Sequence, residues 1–357
     1  MTIEQRMEKL EKLGKFLGQF KISGIQKEED LSHNEPYFSE MLAQIEAAVH
    51  HNGWFTKENV LFSLEQWAKA LTGEQLQKWL SRYDFKNVTP KTVGIIMAGN
   101  IPLVGFHDFL SVVVSGHKAL VKQSSNDQLL LPVIADYLTA IAPELKNKIE
   151  ILPNAADGPS KMTNFDAVIA TGSNNTARYF EYYFSGKPSV IRKNRNSAAI
   201  LTGKESKEEL SALAEDIFRY YGLGCRNVSK LYVPQDYDFT SFFEAIYSWN
   251  PIINQAKYAN NYDYNKAVYL MSQYQLLENG FLILKEDKSM SSPIATLFYE
   301  KYEDREKLEE ELKLRREEIQ CIVGNGASEI KFGETQHPNL WDYADNVDTL
   351  QFLTEKI

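Results

Sequence analysis

The sequence predicts an α/β protein with parallel sheets behind a helical N-terminal section. Three observations predict it. From Thr89 onward, short apolar runs of strand type alternate with segments of helical period, the pattern of strand–helix–strand units. Three of those runs end in small, polar or cationic residues, where an open parallel sheet gathers its ligand: Ala98-Gly99-Asn100, Lys122-Gln123-Ser124-Ser125 and Thr171-Gly172-Ser173. Residues 1–88 lack this alternation and carry helical apolar spacing instead.

The elements follow in order. Met7, Leu10, Leu13 and Leu17 recur at helical spacing, and SLEQWAKALTGEQLQKWLSRY repeats the pattern after a turn and new helix start in HNGWFTKENV. KTVGIIMAG is a buried-strand run, VGFHDFLSVVVSG a helix closed by Gly116, and HKALVKQSS a strand. NDQLLLPVIADYLTAIAPELK is a long helix with Asn126 or Asp127 as its cap. IEILPN, FDAVIATGS, PSVIRKN and AAILTG are further strands, with SNNTARYFEYYFSG a helix among them. KESKEELSALAEDIFRYYG is a helix with Leu210, Leu213, Ile217 and Tyr220 on one side, and it delivers Cys225 just past its end. DREKLEEELKLRREEI is a solvated helix with a narrow stripe of Leu308, Leu312 and Ile319. The stretch from Phe332 to the end is loop-like, then helical.

Composition narrows the function. The 357 residues carry a net charge of −9, which argues against a nucleic-acid partner, since phosphates require a basic surface. Two distant cysteines, Cys225 and Cys321, make no disulfide framework and suggest a reducing, cytoplasmic setting. The charged start MTIEQRMEKLEKLGKFL lacks the apolar stretch of a signal peptide, and no apolar run is long enough for a membrane span. His50 and His51 are adjacent and His107 and His117 lie ten apart, so no metal-ligand spacing is present and no metal is expected. No GxGxxG follows the first strand, so a standard dinucleotide fingerprint is unsupported.

Cys225 stands in YYGLGCRNVSKLYVP, between the pair Gly222 and Gly224 and a strand-like run. It is either a small core residue or the atom that does the chemistry. The glycines permit a tight backbone path, including positive φ, that presents the thiol with its own N–H, which is half of an oxyanion hole. Cys321, in the apolar run IQCIVGN, reads as core. No histidine lies near Cys225 in sequence, so a Cys–His hydrolase is the weaker reading.

Five pieces in order resemble the aldehyde dehydrogenase superfamily, and within it the LuxC-like acyl-CoA reductases, over roughly residues 90–345: AGNIP at 98–102, GHKALVKQSSND at 116–127, ATGSNNTAR at 170–178, GLGCRN at 222–227, and FGETQHPNLWD. Together with the helical period of residues 1–88, the resemblance gives the expected domains: a helical N-terminal extension at 1–88, a cofactor-binding domain at 89–203 joined by part of the C-terminal segment, a catalytic domain at 204–330, and a C-terminal segment at 331–357. It implies Cys225 as nucleophile and Asn100 as the amide facing the oxyanion. It implies Lys122 at the adenosine ribose or its 2′-phosphate, and Gly172 and Ser173 at the pyrophosphate. Ser124 and Ser125 stand where many NAD-preferring members carry a carboxylate, so NADPH is the expected cofactor.

The departures from that pattern also bear on function. Arg192 stands where the hydrolytic members carry a water-activating glutamate, and SMSSPIA at 289–295 keeps only the proline-centred shape of another of their segments. A thioester on Cys225 would then persist until an acceptor or a hydride reached it. The implied reaction is NADPH-dependent reduction of an acyl thioester, long-chain acyl-CoA or acyl-protein, to the aldehyde. Acyl transfer or binding within an assembly, or reduction of a short acyl-CoA or acyl phosphate, are the alternatives. An acyl-protein synthetase-type partner and a homo-oligomer are implied by resemblance alone. Arg192 and Lys193 are either solvated or placed to meet CoA phosphates.

Overall fold

Thr2 starts the first helix. Its hydroxyl accepts the Gln5 N–H while the Gln5 side chain accepts the Thr2 N–H, a reciprocal cap for two otherwise unpaired donors. Helix α1 (Ile3–Leu17) then buries Leu10, Leu13, Phe16 and Leu17 on one stripe, with Met7 at its margin. A two-rung hairpin of β1 (Phe20–Lys21) and β2 (Gly24–Ile25) interrupts the helical section. Helix α2 (Asn34–His51) follows. The periodic stretch from Ser63 becomes two helices, α3 (Lys57–Ala70) and α4 (Gly73–Leu80), because the Thr72 hydroxyl accepts the Gln75 N–H and caps a new start. The computed structural model describes residues 1–153, 162–327 and 329–357.

The first sheet contains β3 (Thr92–Ile96), β4 (Lys118–Lys122), β5 (Ile149–Ile151), β6 (Ala167–Thr171) and β7 (Ser189–Arg192). Its order is β5-β4-β3-β6-β7 and every pair is parallel. Helices α5 (Phe106–Ser115), α6 (Leu130–Ile141) and α7 (Asn174–Tyr183) connect it. Asn154, the last residue of the expected strand IEILPN, lies outside the described residues. Helix α6 starts at Leu130 without a side-chain cap, contrary to the expectation for Asn126 or Asp127. The Asp127 carboxylate is taken instead by the Leu103 N–H, at 2.8 Å.

The second sheet contains β8 (Asn196–Ile200), β9 (Val228–Pro234), β10 (Leu276–Glu278), β11 (Ile283–Glu286), β12 (Thr296–Tyr302) and β13 (Ile319–Val323). Its order is β10-β11-β12-β9-β8-β13, parallel except for the edge pair β10–β11. Its helices are α8 (Lys207–Phe218), α9 (Thr240–Ala245), α10 (Ala256–Met271) and α11 (Arg305–Leu314). Leu308 and Leu312 form the buried stripe of α11, whereas Ile319 opens β13 rather than extending the helix.

Two compact units result: Met1–Lys193 with Asn339–Ile357, and Asn194–Pro338. The division precedes the expected one at 203/204 because β8 pairs with β9 and β13, not with the first sheet. Residues 1–88 share one core with the first sheet. The last helix, α12 (Thr349–Glu355), also belongs to this unit. Arg192 pairs with Asp108 and donates to the Thr349 hydroxyl at 2.8 Å, with both charges buried. The His117 ring accepts the Lys91 N–H at Nδ1, which leaves Nε2 to donate to the Leu353 carbonyl. Burial holds this imidazole below its ordinary pKa, so it is neutral.

Candidate active site

In the first unit the chain winds outward from β3 in both directions, to β4 and β5 on one side and to β6 and β7 on the other. The reversal falls between β3 and β6, the crevice position for ligands in such sheets. The ladder runs to the strand ends, with the Met97 N–H donating to the Lys122 carbonyl at 3.0 Å. Beyond it, the Asn100 turn and the Ser124 loop are pressed together. A Cβ at Gly99 would lie 2.5 Å from Ser124 Oγ, so only glycine fits there.

The loop from Lys122 to Asp127 is tied from several sides. Ser124 Oγ accepts the Asn126 N–H at 3.2 Å, so this hydroxyl shapes the loop. The His51 ring donates to the Ser125 carbonyl at 2.8 Å, and Asn52 donates to the Asn126 carbonyl at 3.3 Å. Asp127, the one carboxylate of the loop, is bound to Leu103 N–H, and burial pushes its pKa up to about 6. Asn100 and Ser125 are exposed, and Lys122 is half-buried. Gly172 and Ser173 follow β6 on the same carboxyl edge. Ser173 caps α7 by accepting the Thr176 N–H at 3.2 Å. A Cβ on Gly172 would come 3.0 Å from Thr176 Cβ and Phe180 Cε2, so the bare backbone keeps this turn low. The structure thus brings Asn100, Lys122, Ser124, Ser125, Gly172 and Ser173 to one edge of one sheet. His51 and Asn52 support it without any signal in the sequence that would have singled them out, and Asp127, expected as a helix cap, supports it instead.

Cys225 belongs to the second unit and is half-buried in the turn between α8 and β9. The expected positive φ is found at Gly222 (74°) but not at Gly224; Tyr220 (56°) and Tyr221 (60°) carry the rest of the left-handed path. Asn227, buried, holds that path. Its amide oxygen accepts the Gly224 N–H at 2.8 Å, and its NH2 donates to the carbonyls of Asp216 at 3.0 Å and Arg219 at 2.8 Å. Asp216, fully buried, ties the FGET segment to α8: its carboxylate accepts the N–H groups of Gly333 and Thr335 and the Thr335 hydroxyl. Burial pushes its pKa up to about 6 against the pull of these three donors.

Cys321 keeps its sulfur buried, as expected, although the residue as a whole is only half-buried. Its Sγ lies 3.0 Å from Ser197 Oγ, and burial pushes the thiol up to about 11. Arg192 is neither solvated nor open to CoA phosphates, because Asp108 and Thr349 hold it inside the first unit. Lys193 is exposed and paired with Glu181 at 2.8 Å. Among the described residues no cluster of His, Cys, Asp and Glu could hold a metal, and no helix is long and apolar enough to cross a membrane.

A doubly wound parallel sheet followed by a second α/β unit that presents a cysteine after a helix defines the aldehyde dehydrogenase fold, and known structures agree. Aldehyde dehydrogenase 21 from Physcomitrella patens, in complex with succinate, superposes with a TM-score of 0.65 at 14% identity, over 92% of this chain and 74% of that one. An indole-3-acetaldehyde dehydrogenase complexed with NAD+ gives 0.64 at 16% identity, over 94% and 74%. The NAD+ complex of an aldehyde dehydrogenase from Bacillus cereus gives 0.61 at 12% identity, over 90% and 72%. No curated protein matches the sequence. Residues 2–246, which include Cys225, match the family model described as acyl-CoA reductase (LuxC), and the chain belongs to that family. It is an oxidoreductase that takes an acyl group to the aldehyde.

Proposed function

We propose that the chain reduces an acyl thioester, acyl-CoA or acyl-protein, with NADPH through an S-acyl enzyme on Cys225. The observation that carries this reading is the Cys225 turn, which holds a half-buried thiol on a backbone path of three consecutive left-handed residues. Such a path is costly, and side chains that fix it argue for a thiol with a task.

The thiolate of Cys225 attacks the acyl carbonyl carbon. The carbonyl oxygen becomes an oxyanion, for which the Cys225 N–H is a donor, and the family resemblance implies the Asn100 amide as a second. Collapse expels the donor thiolate, which takes up a proton, and leaves the acyl group on Cys225. NADPH, when bound, would supply the hydride that the acyl carbon then requires. Release of the aldehyde returns Cys225 as thiolate. Arg192, engaged by Asp108, supplies no base at the position where hydrolytic relatives carry a glutamate, so water does not compete there.

The first sheet's carboxyl edge fits the cofactor. The Gly172 turn keeps backbone low before the N-terminus of α7, where the helix dipole favours the pyrophosphate. Lys122 suits the ribose 2′-phosphate, and exposed Ser125 places no negative charge against it. Gas chromatography of products from a series of short to long acyl-CoAs with NADPH tests the reading. The expected result is a fatty aldehyde matching the acyl chain. Folded protein that forms no aldehyde from any donor would overturn it.

A further inference from the structure

Cys225 is held on both sides of its Cα, and the second hold comes from a strand that the catalytic motif does not include. The peptide plane before it is fixed by the Asn227 N–H, which donates to the Gly224 carbonyl at 3.0 Å. The plane after it is fixed by Ser197, whose hydroxyl donates to the Cys225 carbonyl at 2.9 Å. With both planes fixed, φ and ψ at Cys225 have no freedom left, and the direction of the Cα–Cβ bond is set.

Ser197 is fully buried on β8, and the sheet is irregular on both sides of it. The register with β9 shifts between Ser197 and Ala198, so that Ser197 faces Val228 and Ala198 faces Lys230. The register with β13 shifts between Ile319 and Ile322. Bulges re-aim side chains and gather beside active sites. Here they flank the residue that reaches the nucleophile's peptide, and the bulged part of β13 holds Cys321. The single Ser197 proton goes to the Cys225 carbonyl, so at 3.0 Å Ser197 Oγ accepts the Cys321 S–H. The thiol thus orients the hydroxyl.

We propose that Ser197 is the positioning residue for the nucleophile, with Cys321 as the donor that orients it. This rests on Cys225 being the acylated residue. Ser197 touches neither acyl group nor cofactor in this proposal; it fixes the peptide plane that follows Cys225, and with it the direction of the Cα–Cβ bond that aims the thiol.

The test is a rapid-quench time course of acylation, read as intact-protein mass, with acyl-CoA and no nicotinamide. Ser197→Ala is expected to lower the limiting acylation rate about tenfold, the size of one lost buried hydrogen bond, with half-saturation by acyl-CoA unchanged. Ser197→Thr, which keeps a hydroxyl, is expected to restore the rate. Alkylation of Cys225 by a small reagent such as iodoacetamide needs the thiolate but not a thiol aimed at a bound acyl carbonyl, so it is expected to proceed at the wild-type rate in Ser197→Ala. Wild-type acylation in Ser197→Ala, or a parallel fall in alkylation, would overturn the proposal. Failure of the unmodified protein to acylate at Cys225 is a separate result and would remove the reading of Cys225 itself.

Discussion

The two sheets of this protein hold their candidate site residues by different means. In the five-stranded sheet every register runs unbroken, and the residues at its carboxyl edge are shaped by the backbone of short turns. Gly99 lies against Ser124, and Gly172 keeps the turn before α7 low. In the six-stranded sheet the register slips twice, both times beside Ser197, and the Cys225 turn is held by buried polar side chains from β8 and from its own far end, the latter bound to backbone carbonyls at the end of α8. A ligand with its own charge and shape can be received by a fixed surface. A nucleophile must be aimed, and aiming requires holds on the peptide planes on either side of it.

The comparison can be broken most severely at the thiol. Cys225→Ser is expected to abolish acylation from acyl-CoA while the protein stays folded, read by intact mass and circular dichroism. Asn100→Ala is expected to cost on the order of 10²–10³ in kcat, the usual loss for one oxyanion donor. Arg192→Met leaves the Asp108 carboxylate buried without its partner. A loss of about 3–5 kcal/mol in denaturant unfolding is expected, with much of it recovered when Asp108 is also made Leu. Ser125→Glu sets a carboxylate in the exposed part of the loop at 122–127, the proposed cofactor loop, and is expected to shift the ratio of kcat/KM for NADPH over NADH about tenfold toward NADH. The mildest test separates the two cysteines. A thiol pushed up to about 11 stays neutral as pH rises until it nears that value, so at pH 8 only about one in a thousand Cys321 groups is thiolate. Brief iodoacetamide treatment at pH 8 should therefore label Cys225 and spare Cys321, and equal labelling would show that Cys321 is not shielded as described.

Much of the architecture was legible in the sequence because it rests on local pattern. Alternating strand and helix periods located the first sheet, and the helix ending before Cys225 lies where Leu210, Leu213 and Ile217 required it. Boundaries that depend on partners were not legible. AAILTG reads as one more strand of the first series, yet β8 pairs across the second sheet, a choice made by β9 and β13. Asp127 has the chemistry of a helix cap, but the Leu103 N–H takes its carboxylate from another turn. Arg192 stands in a polar run and turns inward because Asp108, far away in sequence, is buried opposite it. The candidate site residues were proposed from short motifs, since glycine, asparagine and cysteine leave local signatures. Ser197 left none, and Asn227, though inside GLGCRN, gave no sign of its role, because both roles depend on atoms that only the folded chain brings near.

The central claim is that Cys225 carries the acyl group, and one measurement addresses it directly. The protein is mixed with an acyl-CoA series without nicotinamide, and its intact mass is recorded before peptide mapping of the adduct. The account predicts a stable increase equal to the acyl group, mapped to Cys225, with no comparable gain on Cys321. An adduct mapped elsewhere, or an unmodified folded protein across the whole series, would contradict it.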